Sequence, residues 1–273
     1  MEYYFQEEGF HEDVEHRDPE VARVKEYIRE FFLTQQEEVF FSRQIEIHFE
    51  NDYFHWITKR ALRELEEEGF IKAEMRDYSG GGRLKLMWYK RCRYYKTAAK
   101  KVVKLVEEYS QQRITRAIGL NGEHLVLEGF ARNQFLTLGR NTKKFGDKEW
   151  LETEHKLDFI FERDGTVYGV EVKNGLGYMD EDELNVKIRM CHFLGIKPLF
   201  IVRMIPRTWA YEIIENGGFA LILKYQLYPI ALMDLAQRVA NNLKLPVDSP
   251  QALEEGTMKR FIDWHIKTCE LEK

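Results

Sequence analysis

The residues able to do chemistry concentrate in HKLDFIFERDGTVYGVEVKN, positions 155–174. Asp164-Gly165 within it fits a two-residue hairpin turn, because both central positions of a type I′ turn need φ > 0 and Asp-Gly tolerates that. With the loop there, residue 161 faces 168, 159 faces 170 and 157 faces 172. The resulting pairs, Phe161/Tyr168, Phe159/Val170 and Leu157/Val172, are all apolar, as one buried face of a sheet requires. The opposite face runs through Glu162/Val167 and Ile160/Gly169 to Asp158/Glu171, which sets two carboxylates side by side. Directly opposed side chains have Cβ atoms roughly 5 Å apart, and two like charges there repel by about 3 kcal/mol at an effective dielectric near 20. Such a pair does not serve stability. A divalent cation reverses the sign, and hard oxygen ligands at a partly open site suit Mg²⁺ or Mn²⁺. Lys173 projects from the same face as Glu171. Its ammonium can orient or help deprotonate a water and stabilise the charge of phosphoryl displacement. Gly169 is expected to keep the neighbouring spot open.

A further carboxylate comes from NGEHLVLEGF, where Glu123 falls in the helical stripe Leu120, Glu123, Leu127, Phe130 and so points where an apolar side chain is expected. Asp158, twelve intervening residues and Glu171-Val172-Lys173 together resemble the PD-(D/E)xK nuclease superfamily, which includes restriction endonucleases and archaeal-type Holliday junction resolvases. The resemblance covers about residues 119–225 and departs from the family at Leu157, where the motif has proline. It implies a restriction endonuclease-like mixed sheet flanked by helices, and Mg²⁺-dependent hydrolysis of DNA phosphodiesters leaving 5′-phosphate and 3′-hydroxyl ends. It also implies roles: Asp158, Glu171 and the Val172 carbonyl hold the metal, Lys173 positions the attacking water, and Glu123 assists through a metal-bound water. Asn174, Asn185, Lys187 and Arg203 are within possible reach of substrate. A structural account stands beside this one, with Asp158 as a surface residue at a strand start, Glu171 and Lys173 as a cross-strand charge group, and Glu123 as a favourable charge in a helix's first turn. Zinc is disfavoured, because His155 has no second His or Cys at ligand spacing and His48/His55, His11/His16 and Cys191/His192 match no recognised pattern.

The elements that must carry these residues alternate strand and helix after residue 118: helices near 121–132, 180–194 and 208–216, strands near 135–138, 198–204 and 219–223, and two peripheral helices at the end. This is an α/β pattern. Before it, a helix from Pro19 to about Phe32, a segment at 42–49, a helix from Asn51 or Asp52 to Glu68, and two strands joined at Gly80-Gly81-Gly82 resemble a winged helix-turn-helix. That resemblance places Lys59, Arg60 and Arg63 in a DNA major groove and the tip at Gly80–Arg83 near the backbone. Glu64, Glu66, Glu67 and Glu68 crowd the same helix end and oppose phosphate, so protein contact or dimerisation is the competing use. A basic helix over 94–116 would connect the halves. The expected organisation is therefore an acidic segment at 1–18, a winged-helix domain at 19–93, a basic linker helix at 94–117 and a nuclease-like domain with C-terminal helices at 118–273.

Charge supports a nucleic-acid partner only locally. The whole chain of 273 residues carries a formal net charge of -5, yet residues 83–116 hold eleven Lys/Arg against Glu107 and Glu108, interleaved with Trp88, Tyr89, Tyr94 and Tyr95. Residues 1–20 hold eight Asp/Glu against Arg17 alone. With 44% hydrophobic and 32% charged residues the chain is expected to fold rather than remain disordered. No apolar run approaches the roughly 18–20 residues that span a bilayer, and the acidic start lacks a signal-peptide pattern. Cys92, Cys191 and Cys269 are too far apart for a disulfide framework or a CxxC metal site. A cytoplasmic, metal-dependent deoxyribonuclease in defence or DNA repair is the expectation, with a homodimer compatible. The alternative is a non-catalytic DNA-binding or regulatory protein that keeps the nuclease fold.

Overall fold

A computed structural model describes residues 18–79 and 82–271. The acidic segment therefore lies outside the described residues, apart from Asp18, as do Gly80 and Gly81 at the expected hairpin tip. Asp18 caps α1 (Pro19–Thr34) by accepting from the Glu20 N–H, with Pro19 at the first helical position where its missing donor goes unnoticed. Then come β1 (Val39–Phe41), α2 (Ser42–His48), α3 (His55–Glu67), β2 (Ile71–Tyr78) and β3 (Gly82–Tyr89), with the antiparallel strands in the order β1-β3-β2. Alternation along β3 decides what lies on each side of this sheet. Met87 and Tyr89 pack with Val24, Ile28, Phe32, Ile45, Ile57 and Leu65 of the three helices, while Leu84, Leu86 and Trp88 face the other way.

That second face is covered by α4 (Tyr95–Tyr109), through Ala99, Val102, Leu105 and Val106. The helix expected over 94–116 is two helices: Ser110 ends α4, Gln111 turns to an extended ψ of 135°, and α5 (Gln112–Arg132) starts afresh. Arg113 and Arg116 belong to α5, not to the linker.

A five-stranded sheet follows in the order β10-β9-β8-β7-β4. Its members are β4 (Leu136–Thr142), β7 (Leu157–Arg163), β8 (Thr166–Lys173), β9 (Lys197–Val202) and β10 (Phe219–Ile222); β5 (Lys144–Phe145) and β6 (Lys148–Glu149) form a short separate ribbon. The β4/β7 and β7/β8 pairs are antiparallel and the β8/β9 and β9/β10 pairs parallel, so the sheet is mixed. The parallel pairs need helical crossovers, supplied by α6 (Glu181–Leu194) and α7 (Arg207–Glu215) on one face. On the other face α5 and α9 (Glu255–Leu271) bury Phe130 and Phe261 against Phe159, Phe161, Tyr168 and Val170. A parallel pair, β11 (Gln226–Leu227) with β12 (Val247–Asp248), brackets α8 (Met233–Leu243). The architecture is α/β, with mixed sheets flanked by helices. No helix among the described residues is long and apolar enough to cross a membrane.

Candidate active site

The hairpin forms in the expected register: Phe159 opposes Val170, Ile160 opposes Gly169 and Phe161 opposes Tyr168, with Asp164 and Gly165 both at positive φ in the turn. The ladder stops at Phe159/Val170. The expected Leu157/Val172 partnership does not form: Leu157 buries its side chain with Ile160, Cys191 and Ile196 on the α6 face, whereas Val172 packs on the α5 face. Gly169 also differs from expectation. A Cβ there would meet Cys191 Sγ at 2.6 Å and Leu157 Cδ1 at 2.9 Å, so its role is close approach of α6 and not an open spot.

Where β7 and β8 part, Asp158 supplies what the ladder no longer does. Its Oδ2 accepts the Val172 N–H at 2.7 Å. The N–H and C=O of one strand residue face the same neighbouring strand. The Val172 carbonyl thus opens toward the Asp158 side of the gap. Burial pushes the Asp158 carboxyl above its ordinary range, with the Val172 bond and Lys187 pulling the other way and Glu123 adding repulsion. Glu171 is raised as well, first by burial and then by the Asp158 charge. The two carboxylates thus share one electrostatic environment.

Lys173 Nζ lies 3.0 Å from Glu171 Oε1 and 2.8 Å from Glu183 Oε1. Burial alone would lower its pKa, but Glu171 and Glu183 outweigh it and hold the ammonium above the ordinary lysine value. The second cation is Lys187, whose Nζ is 2.5 Å from Glu171 Oε2 and also bonds the Lys156 carbonyl. Lys187 and Glu171 are among the few buried charged residues of the chain. Sequence reasoning named Lys187 only as a candidate substrate contact. The signal was present: Lys187 interrupts the buried α6 stripe of Leu184, Ile188, Cys191 and Leu194, as a charge does when it faces a partner inside.

The remaining candidates separate. Glu123 is half-buried on α5, 3.9 Å from Arg140 and close enough to act on Asp158. The buried face of α5 is Ile118, Gly122, Leu125, Val126, Gly129 and Phe130, and Leu120 is exposed, so Glu123 borders the apolar stripe instead of lying in it. Asn185 is exposed, whereas Asn174 and Arg203 are buried and bonded within the protein. On α3, Arg60 pairs with Glu64 at 3.4 Å and Arg63 with Glu67 at 3.9 Å; Lys59 is exposed, and Arg83 of β3 pairs with Asp77 at 3.1 Å. Arg60, Arg63 and Arg83 thus find their ion-pair partners on α3 and β2 and not among the site carboxylates. On α4, Lys96, Lys100 and Lys101 are exposed and make no ion pair among the described residues.

Among the described residues no group of three or more His, Cys, Asp or Glu side chains could hold a metal ion. Two carboxylates with a backbone carbonyl are nonetheless a donor set of the kind Mg²⁺ takes, since it keeps several waters and uses one or two protein carboxylates. They do not suit tetrahedral zinc. Any cation at Glu171 competes there with Lys173 and Lys187. Comparisons with protein-family models, with curated proteins and with solved structures find no match to this chain.

Proposed function

We propose that the chain is a Mg²⁺-dependent DNA endonuclease of the PD-(D/E)xK kind, its α/β part a restriction endonuclease-like domain and residues 19–93 a winged-helix domain. The observation that carries this reading is the gap between β7 and β8, where Asp158, Glu171, Lys173 and the Val172 backbone meet. Mg²⁺ or Mn²⁺ bound there would supply Lewis-acid stabilisation of the phosphoryl oxygens and a more acidic water. Asp158, Glu171 and the Val172 carbonyl would hold it. Lys173, kept protonated by Glu171 and Glu183, would orient the attacking water by donating to it and would offset negative charge as it builds on the phosphate. Glu123 would accept a hydrogen bond from water on the Asp158 side. Exposed Lys96, Lys100 and Lys101, with Lys59, Arg60, Arg63 and Arg83, would contact phosphates.

The test pairs cleavage with binding. Mg²⁺ or Mn²⁺ at millimolar concentration should raise the melting temperature of the parent but not of Asp158→Asn. A panel of linear, supercoiled, branched and modified DNAs should show metal-dependent cutting that Lys173→Ala abolishes while DNA affinity stays within threefold. Absence of both metal effects would overturn the reading. It would favour a non-catalytic DNA-binding or regulatory protein, which the buried Lys187–Glu171 ion pair supports, because an internal lysine already neutralises Glu171.

A further inference from the structure

Lys173 ends β8, and the next seven residues leave the sheet before α6 begins at Glu181. The start of this segment is fixed firmly. Asn174 Nδ2 donates to the Ile118 and Leu227 carbonyls, each at 2.8 Å, and its Oδ1 accepts the Leu227 N–H at 2.7 Å. Gly122 of α5 is so close that a Cβ there would lie 2.6 Å from Asn174 Cβ. Beyond Asn174 the backbone is held by side chains. Arg203 donates to the Gly175 carbonyl at 3.3 Å and to the Leu176 carbonyl at 3.2 Å, and Arg43 of α2 also donates to the Leu176 carbonyl at 3.2 Å. A cavity of about 240 Å³, bordered by Arg43, Tyr109, Leu176, Gly177 and Gln226, lies against the loop. Leu176 packs at the edge of the cluster that contains Phe41, Ile47 and Ile118, and the guanidinium groups fix the backbone beside the cavity.

Both anchors lead into the N-terminal helices. Arg203 forms a two-pronged ion pair with Glu50, at 2.5 and 3.0 Å, with side chains 2% and 13% exposed and 153 residues apart in sequence. Glu50 lies in the short connection between α2 and α3. Tyr178 reaches the first residue of α3: its ring centroid is 4.6 Å from that of His55, and the Arg43 guanidinium stands 5.7 Å from the Tyr178 centroid.

We infer that Arg203, Glu50 and Tyr178 are positioning residues that tie the placement of Lys173 to the seating of α3. A movement of α3 pulls on Tyr178 and Glu50, and only the four residues 174–177, with their latched backbone, separate Tyr178 from Lys173. The kinetic consequence rests on the nuclease reading; the latch itself does not.

Two variants test it in the full chain. Glu50→Gln removes the charge that holds Arg203. Glu50→Met with Arg203→Met replaces the buried pair by apolar side chains, a change that buried ion pairs often tolerate, and so covers the case in which the single variant fails to fold. Hydrogen exchange followed by mass spectrometry should show amides in 174–180 exchanging at least tenfold faster in both, with β9 unchanged. Cleavage at saturating DNA with Mg²⁺ should fall at least tenfold, while affinity measured in Ca²⁺ stays within threefold. Unchanged exchange in 174–180 overturns the latch. Faster exchange with an unchanged cleavage rate, or a rate loss matched by lost affinity, overturns the positioning role. Should the parent cleave no DNA at all, the nuclease reading fails and the exchange result alone decides the latch.

Discussion

Asp158 is bonded well and placed badly. The Val172 N–H gives it a strong partner at 2.7 Å, while burial and nearby acids make its charge unwelcome. Because its folded-state pKa is raised, the folded protein binds more protons than the unfolded chain between the ordinary carboxylate value and the raised one, and stability declines as pH rises through that window. Asparagine keeps the acceptor and removes the charge. In the absence of divalent cations, Asp158→Asn should match the parent below about pH 4 and exceed it at pH 7 by about 0.5–2 kcal/mol, measured by urea denaturation across pH. A variant less stable than the parent at pH 7 would mean that Asp158 is a structural acid. Glu171 poses the opposite case, because neutralising it would strand Lys187, buried and 2.5 Å away.

At the scale of elements, α3 and α4 divide the cations unequally. Glu64 and Glu67 hold Arg60 and Arg63, and Lys25, Arg29 and Lys85 crowd the same acidic end of α3 through Glu64, Glu66 and Glu68. Surface pairs of this kind are worth roughly 0–1 kcal/mol, so phosphate can displace them, but at some loss. Lys96, Lys100 and Lys104 stand at i, i+4 and i+8 on an exposed face of α4. Replacing these three by Ala should flatten the log-log salt slope of duplex binding by about 2–3, measured by fluorescence anisotropy in Ca²⁺. Replacing Lys59, Arg60 and Arg63 should flatten it less, and the reverse order would make α3 the principal phosphate contact.

The same elements show what sequence could reveal. The turn at Asp164-Gly165 fixed a register that the strands obey, because register in a short hairpin is a local matter. The start of α6 near residue 180 was likewise legible, and there the Asp180 side chain accepts from the Asp182 and Glu183 amides. The break in alternation at Leu157 was not, since it comes with the packing of Leu157 beside Cys191 and Ile196, residues distant in sequence. Nor was the latch between Glu50 and Arg203, whose partners are brought together only by the completed fold.

The largest-scale feature invisible to local patterns is the placement of α8: expected as a peripheral helix, it instead returns from the end of the α/β part to share a core with the N-terminal half. Leu235, Val239 and Leu243 of α8 pack in one cluster with Val102, Leu105 and Val106 of α4 and with Leu86 and Trp88 of β3. At the rim of this contact Arg238, exposed, forms a two-pronged ion pair with half-buried Glu108. Apolar burial is what couples the halves: α4 seals the β3 face only while α8 seals α4. A chain divided at Ser110 would leave that α4 face open to water, which predicts that the two halves unfold together. Calorimetry should give one transition with equal calorimetric and van't Hoff enthalpies. Leu243→Ala, at a site 1% exposed, should remove about 2–5 kcal/mol and lower that single transition by about 5 °C or more. If the scan of the variant instead splits, with one transition kept at the parent's temperature, the α8 contact is a docking of two independent domains and the N-terminal half carries its own stability.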